Sequence, residues 1–374
     1  MSLLVDLRKE LHRNAELSGQ EKQTSAIIRA FLEKFTPQQI VTFPPSHGIA
    51  AIYCGDLPGK TIVIRAELDA LPIKETLDID HGSVHPEISH KCGHDGHMTM
   101  VAGLAPLFAE NPLQYGKVVL LFQPAEETGE GARQIVDHPT FKALEVDYAF
   151  ALHNMPGYPL GKVVMRKDVF CCTSKGMIIE LRGKSSHAAE PHNSITPTTA
   201  VMEMIAQCQE VAKSYHKSLV TIVHVCIGEP AFGICPGDAV IMITLRSESQ
   251  EEMESLSAEY VKFAQQVASA HKLDVSIKWQ DDFPITKNSC KAVEKIQKAI
   301  SDLHLHYEYL PQPISWSEDF GHFAQCCHTA MFGLGSGEHQ PPLHHPHYDF
   351  PDELISTGTK IFKNIIDNLL TQRK

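Results

Sequence analysis

The segment Cys92-Gly93-His94-Asp95-Gly96-His97 sets a thiol and two imidazoles on a glycine-bearing backbone. Thiolate, imidazole and carboxylate together are the donor set of borderline-soft divalent ions such as zinc, cobalt, nickel or manganese, and a poor one for magnesium or calcium. In an extended Cys-X-His stretch, residues two apart project to one side, so Cys92 and His94 are placed to reach one ion or two adjacent ions. His97 falls out of that phase and is expected in the helix behind. Alone, such a stretch reads more readily as a polar turn opening a helix. The weight comes from Asp69, the pair Glu126-Glu127, His153 and the run Leu343-His344-His345-Pro346. Each has a structural alternative: Asp69 a turn cap, Glu126-Glu127 the acidic first turn of a helix, His153 a strand-end histidine bonded to backbone. A thiol, several imidazoles and a carboxylate pair at the strand ends of one sheet are hard to obtain from structural needs alone.

The elements that must position these groups follow from apolar spacing. Residues 3–14 and 21–35 have helical periodicity, 48–53 and 61–66 read as strands, 96–110 as a helix, and 118–123 and 148–153 as strands again. The strand at 61–66 runs out into Glu67-Leu68-Asp69, that at 118–123 into Pro124-Ala125-Glu126-Glu127, and that at 148–153 into His153-Asn154. In an open α/β sheet, ligands bind at the carboxyl ends of strands, so an α/β fold with helices packed on its sheet accounts for the placement. From about residue 174 the order becomes strand 176–182, helix 197–215, strands 219–228 and 239–246, helix 250–270 and strand 273–279, which is the β-α-β-β-α-β order of a ferredoxin-like unit. The helix 291–302, strand 330–334 and helix 352–369 resume the first style. Residues 173–283 are therefore expected to form a domain inserted into one made by 1–172 and 284–374, with short crossings able to act as hinges.

At 374 residues the chain has room for two domains. Acidic residues outnumber basic ones by 45 to 33, which argues against a nucleic-acid footprint or a basic membrane-surface patch and points to a small-molecule partner. The first helix mixes Asp6, Arg8, Lys9 and Glu10 among its apolar residues, unlike a secretory signal, and no window approaches a membrane span. The ten cysteines form no disulfide framework, and Cys171-Cys172 and Cys326-Cys327 are adjacent. A reducing cytoplasm is the expected location.

The segments Arg65-Ala66-Glu67-Leu68-Asp69-Ala70-Leu71-Pro72, His90-Lys91-Cys92-Gly93-His94-Asp95-Gly96-His97, Phe122-Gln123-Pro124-Ala125-Glu126-Glu127, Leu152-His153-Asn154-Met155-Pro156, Ser186-His187-Ala188-Ala189-Glu190-Pro191-His192, Ser317-Glu318-Asp319-Phe320 and Leu343-His344-His345-Pro346-His347-Tyr348-Asp349-Phe350 run in order along nearly the whole chain. In this order they resemble the amidohydrolase branch of the aminoacylase and carboxypeptidase metallopeptidases, which includes hippurate hydrolase, auxin-conjugate hydrolases and N-acetyl-diaminopimelate deacetylase. Two positions depart from the pattern: Glu67 stands where many relatives carry aspartate, and Thr196 precedes Pro197 where many carry aspartate.

The resemblance implies a metallopeptidase-type catalytic domain with an inserted lid and dimerisation domain. It also implies two divalent transition-metal ions bridged by Cys92, with His94, Glu127, His153 and His344 completing the shells; His345 beside His344 leaves a choice that the family register resolves toward His344. Glu126 would act as general acid/base, and Asp69 would be a catalytic residue beside it. His187, supplied by the lid of a partner subunit, would stabilise the oxyanion, and turnover would require a homodimer. Arg246, at the end of a lid strand, is a candidate for the substrate carboxylate. The implied reaction is hydrolysis of an N-acyl amino acid. A dipeptidase or carboxypeptidase with the same mechanism, and a non-catalytic metal-binding protein, are the alternatives.

Overall fold

The computed structural model describes residues 2–370. It divides into two compact units, one made by residues up to Phe170 with Thr286–Pro313 and the chain from Asp319 onward, the other by Cys171–Ile285 with Ile314–Glu318.

The first unit is built on an eight-stranded mixed sheet. Its strands lie in the order Gln39–Thr42, Ile49–Cys54, Tyr115–Gln123, Leu57–Glu67, Tyr148–Pro156, His328–Gly337, Val163–Met165, Tyr307–Tyr309. The central strands are parallel: Ile64 pairs with both Leu120 and Phe150, and Phe332 with Leu152. A strand covered on both faces must be apolar at successive positions, and Ile62-Val63-Ile64 and Val118 to Phe122 are buried without interruption. The helices Ser2–Arg13, His94–Ala102, Cys290–Asp302 and Glu353–Leu370 bury their apolar stripes in the same core as the sheet. Because the central strands run parallel, their carboxyl ends open at one edge, and the loops carrying Asp69 and Glu126-Glu127 emerge beside the strand end that carries His153-Asn154.

Two local expectations are corrected. The helix expected over 96–110 is two helices, His94–Ala102 and Leu104–Glu110, meeting at Gly103; Pro106 has no N–H to bond the Ala102 carbonyl, so the first helix cannot run on. Cys92-Gly93-His94 is not extended. Gly93 has φ +90°, a left-handed conformation that favours glycine, and His94 is the first residue of the helix.

The second unit is a four-stranded antiparallel sheet ordered Ser218–Ile227, Asp238–Ser247, Thr173–Arg182, Asp274–Phe283. The helices Thr198–Ala212 and Gln250–Ala270 share its apolar core. The longer of them begins at a Ser249 hydroxyl that accepts from the Glu252 N–H, a cap satisfying one of the helix's free donors. Among the described residues no helix is long and apolar enough to cross a membrane.

Candidate metal centre

The turn after Tyr115–Gln123 is not the opening of a helix. Ala125 adopts φ +50°, the next helix starts only at Gly131, and the Glu127 N–H donates to Asp69 Oδ2 at 2.9 Å. Both glutamate side chains are thereby directed toward the Cys92 loop. His94 sits one residue past the left-handed Gly93, and His153 lies within the carboxyl half of its strand.

One ligand atom each from Cys92, His94 and His153 lies within 4.8 Å of the other two, and the same holds for Cys92, Glu127 and His344, and for His94, Glu126 and Glu127. Cys92 is the corner shared by the first two groups. His94 Nε2 and Glu127 Oε1 are buried with no hydrogen-bond partner, 3.8 Å apart, and His344 Nε2 stands 3.8 Å from Glu127 Oε2. These separations are too long for hydrogen bonds. They are near the roughly 3.4 Å that separates two donors each about 2.1 Å from one tetrahedral ion.

The tautomers are set from behind. His94 Nδ1 donates to the Asp69 carbonyl at 2.9 Å and His153 Nδ1 to the Asn154 carbonyl at 2.9 Å, so each ring presents Nε2 to the cluster, that of His153 lying 3.4 Å from Cys92 Sγ. Electrostatics favour a cation. Burial pushes Glu127 up to about 7, because too many carboxylates share a dry site. Burial opposes charge on His94, yet its bond to Asp69 and the charges of Glu67, Glu127 and Asp69 raise it to about 10. A proton drawn so strongly to that ring marks a field that also attracts a divalent ion. Burial and the nearby His97 and His94 hold His153 well below its ordinary range, as a neutral ligand requires. The donor set and its geometry fit a pair of divalent ions.

Buried polar groups, Asp69 and several to which sequence reasoning gave no role, hold these candidate ligands. Asp69 Oδ2 accepts from Ser18 Oγ at 2.6 Å as well as from Glu127 N. Arg65, buried inside a parallel strand, bonds Glu67 and, at 2.7 Å, Asp319 Oδ1. Glu67 in turn accepts from His97 Nδ1 at 2.8 Å, and the other His97 nitrogen meets Asn154. Against burial, Arg65 and His97 hold the Glu67 carboxyl well below the usual range. His97 is helical as expected, but its ring lies 4.8 Å from that of His153, so it supports the centre. The available signal was Arg65 itself, a charge in an otherwise apolar strand, which demands a buried partner.

The loop bearing His344 is fastened through Lys91. The His344 N–H donates to the Lys91 carbonyl at 2.8 Å, and the fully buried Lys91 Nζ donates to the Tyr348 carbonyl at 2.9 Å and to Glu75 Oε1 at 2.8 Å. His344 adopts φ +64°. His345 instead faces His347, ring centroids 5.2 Å apart, so it is His344 that reaches Glu127.

In the second unit, His187 is exposed on the short strand Ser186–His187, paired with Ile234, and its Nδ1 accepts from the Ala189 N–H at 3.1 Å. Arg246 donates to the Ser315 carbonyl and to Ser317 Oγ, both at 3.1 Å.

The model of peptidase family M20/M25/M40 matches residues 63–368, a span that runs from the Arg65 strand to the last helix. The chain belongs to this family. As an M20 chain it is an amide hydrolase. It is 29% identical over 357 residues to the N-acetyl-L-cysteine deacetylase of Bacillus subtilis, covering 94% of this chain and 84% of that protein. It is 30% identical over 386 residues to an IAA-amino acid hydrolase of Arabidopsis thaliana, covering 99% and 86%. Among solved structures, it is similar to a dinuclear metal-binding peptidase of the M20 family from Bacillus subtilis, with a TM-score of 0.80 at 25% identity over 99% of this chain and 98% of that one.

Proposed function

We propose that this M20 hydrolase cleaves the amide bond of N-acyl amino acids, of the acetyl, benzoyl or aryl-acyl type, releasing a carboxylic acid and a free amino acid. Cys92, His94, Glu127, His153 and His344 would hold two divalent ions. Bound there, the ions would lower the pKa of a water molecule and polarise the substrate carbonyl. The observation carrying the reading is Cys92 as common corner of two ligand groups, with a further buried carboxylate, Glu126, at the same cluster. A storage site needs ligands but no such extra acid/base.

In this mechanism Glu126 accepts the proton of the attacking water on a carboxylate oxygen and delivers it to the leaving nitrogen. Asp69 keeps two tasks, fixing His94 through its carbonyl and the Glu127 turn through its carboxylate. His187 would donate to the developing oxyanion, contributed by the second unit of a partner chain acting as a lid. Arg246 would meet the substrate carboxylate. The exposed apolar Leu219 and Val223 on the edge strand Ser218–Ile227 support a homodimer formed through that unit. The cysteine usage supports a cytoplasmic setting.

The test is amine release from N-acetyl, N-benzoyl and indole-acetyl amino acids beside dipeptides, after loading with zinc, manganese, cobalt or nickel. Preference for acyl amino acids is expected. Preference for dipeptides would move the substrate class, and failure on every amide with ions shown to be bound would contradict the reading.

A further inference from the structure

The vicinal pair Cys326-Cys327 lies at the end of the 3-10 helix Asp319–Gln325, outside the metal centre. Four donors converge there on one acceptor, the Phe323 carbonyl: the Cys326 and Cys327 N–H groups at 3.1 and 3.2 Å, and their thiols at 3.2 and 3.4 Å. A carbonyl oxygen has two lone pairs, and the two N–H groups suffice to occupy them. The thiols are the weaker donors and are surplus. Both sulfurs can therefore leave the carbonyl without stranding a buried polar group.

The pair is also accessible. Cys326 is exposed and Cys327 half-buried, and Cys326 lines a surface depression of about 560 Å³ whose walls include Val136, Phe141 and Lys142. Cys326, the more exposed of the two, is the thiol an incoming reagent meets first and the nucleophile of the pair.

Closure to a disulfide is not the chemistry this arrangement favours. Adjacent Cα atoms are about 3.8 Å apart, below the roughly 4.4–6.8 Å that disulfides span, so an S–S bond here would be strained and easily reduced. A single soft atom inserted between the sulfurs, with two bonds of about 2.3 Å, relieves that constraint.

We propose that Cys326-Cys327 is a chelating site for a trivalent, thiophilic species of the aryl-arsonous class, whose aryl group lies against Val136 and Phe141. The Cys326 thiolate attacks the arsenic of R–As(OH)2 and one hydroxyl departs; the Cys327 thiol displaces the second. Two As–S bonds form, two As–O and two S–H bonds break, two waters leave, and arsenic remains trivalent, so no oxidant or reductant is needed.

The experiment treats the metal-loaded full chain with phenylarsine oxide and measures the adduct by intact mass and peptide mapping. One adduct per chain on the 326–327 peptide is expected, stable to glutathione and removed by dithiothreitol. Cys326→Ser and Cys327→Ser should each weaken retention by about 10²-fold or more, the usual worth of a second tethered contact. Cys171-Cys172, also adjacent but buried, is the internal control and should remain unlabelled. No adduct, an adduct on another peptide, or one surviving in both serine variants overturns the proposal.

Discussion

Replacing Lys91 by Met tests whether the buried charge frame behind the Cys92 loop is structural support or ornament. Lys91 is fully buried and its partner Glu75 has a side chain 7% exposed. Glu75 also accepts from His12 Nε2 at 2.9 Å, whose Nδ1 bonds Asp95 at 2.8 Å, and Asp95 accepts from the buried Arg8. At 2.8 Å the Lys91–Glu75 attraction is about 6 kcal/mol for an effective dielectric near 20. Breaking such a buried pair from one side costs about 3–5 kcal/mol, because the remaining carboxylate keeps its desolvation penalty. The variant should therefore lose about 3 kcal/mol, which at an m-value of about 3 kcal/mol/M or more for a chain of this size shifts the urea midpoint by about 1 M or less. Glu75→Gln added to it should recover part of the loss by removing the stranded charge. Both tryptophans, Trp279 and Trp316, lie in the second unit, so backbone circular dichroism and amide exchange of helix His94–Ala102 are the appropriate readouts for the first. A loss below about 1 kcal/mol, the worth of a solvent-exposed pair, would refute the reasoning.

The same frame predicts an acid limb. Burial raises Glu75, but His12 and Lys91 more than offset it and bring its pKa down to about 2; a carboxyl depressed on folding contributes stability above its unfolded pKa near 4.3, lost as pH falls toward about 2. Urea unfolding from pH 7 to 2.5 should show that loss, and Glu75→Gln should flatten it. His97→Ala removes the hydrogen bond to Glu67 without touching a ligand and should weaken metal binding by about 10–100-fold in a chelator competition, while unchanged affinity would assign His97 to packing alone. Gly131→Ala would set a Cβ 1.6 Å from the Pro124 carbonyl oxygen, forcing the Glu126-Glu127 turn to move, so metal affinity and turnover should fall together.

What the sequence made legible followed from strong local signals. The parallel strands announced themselves as unbroken apolar runs, and their polar ends named Asp69, Glu126, Glu127 and His153 as candidates because parallel strands deliver their carboxyl ends to one edge. What escaped depended on backbone turns and long-range pairing. Gly93 at φ +90° replaced an extended Cys-X-His by a helix start, and Ala125 at φ +50°, unmarked by any glycine, kept the two glutamates out of a helix. Arg65 and Asp319 are 254 residues apart in sequence, and nothing local to either reveals the bond between them. The choice of His344 over His345 needed the family register at first, and then the geometry, which brings one imidazole to Glu127 and turns the other to His347.

The most direct test of the central claim is turnover and metal content measured side by side on Glu126→Gln. The substitution keeps size and hydrogen-bonding capacity but removes the group proposed to carry the proton, leaving the proposed ligands Cys92, His94, Glu127, His153 and His344 in place. Two ions per chain should be retained while turnover of an N-acyl amino acid falls by about 10²-fold or more. Unchanged turnover with the ions still bound would contradict the account.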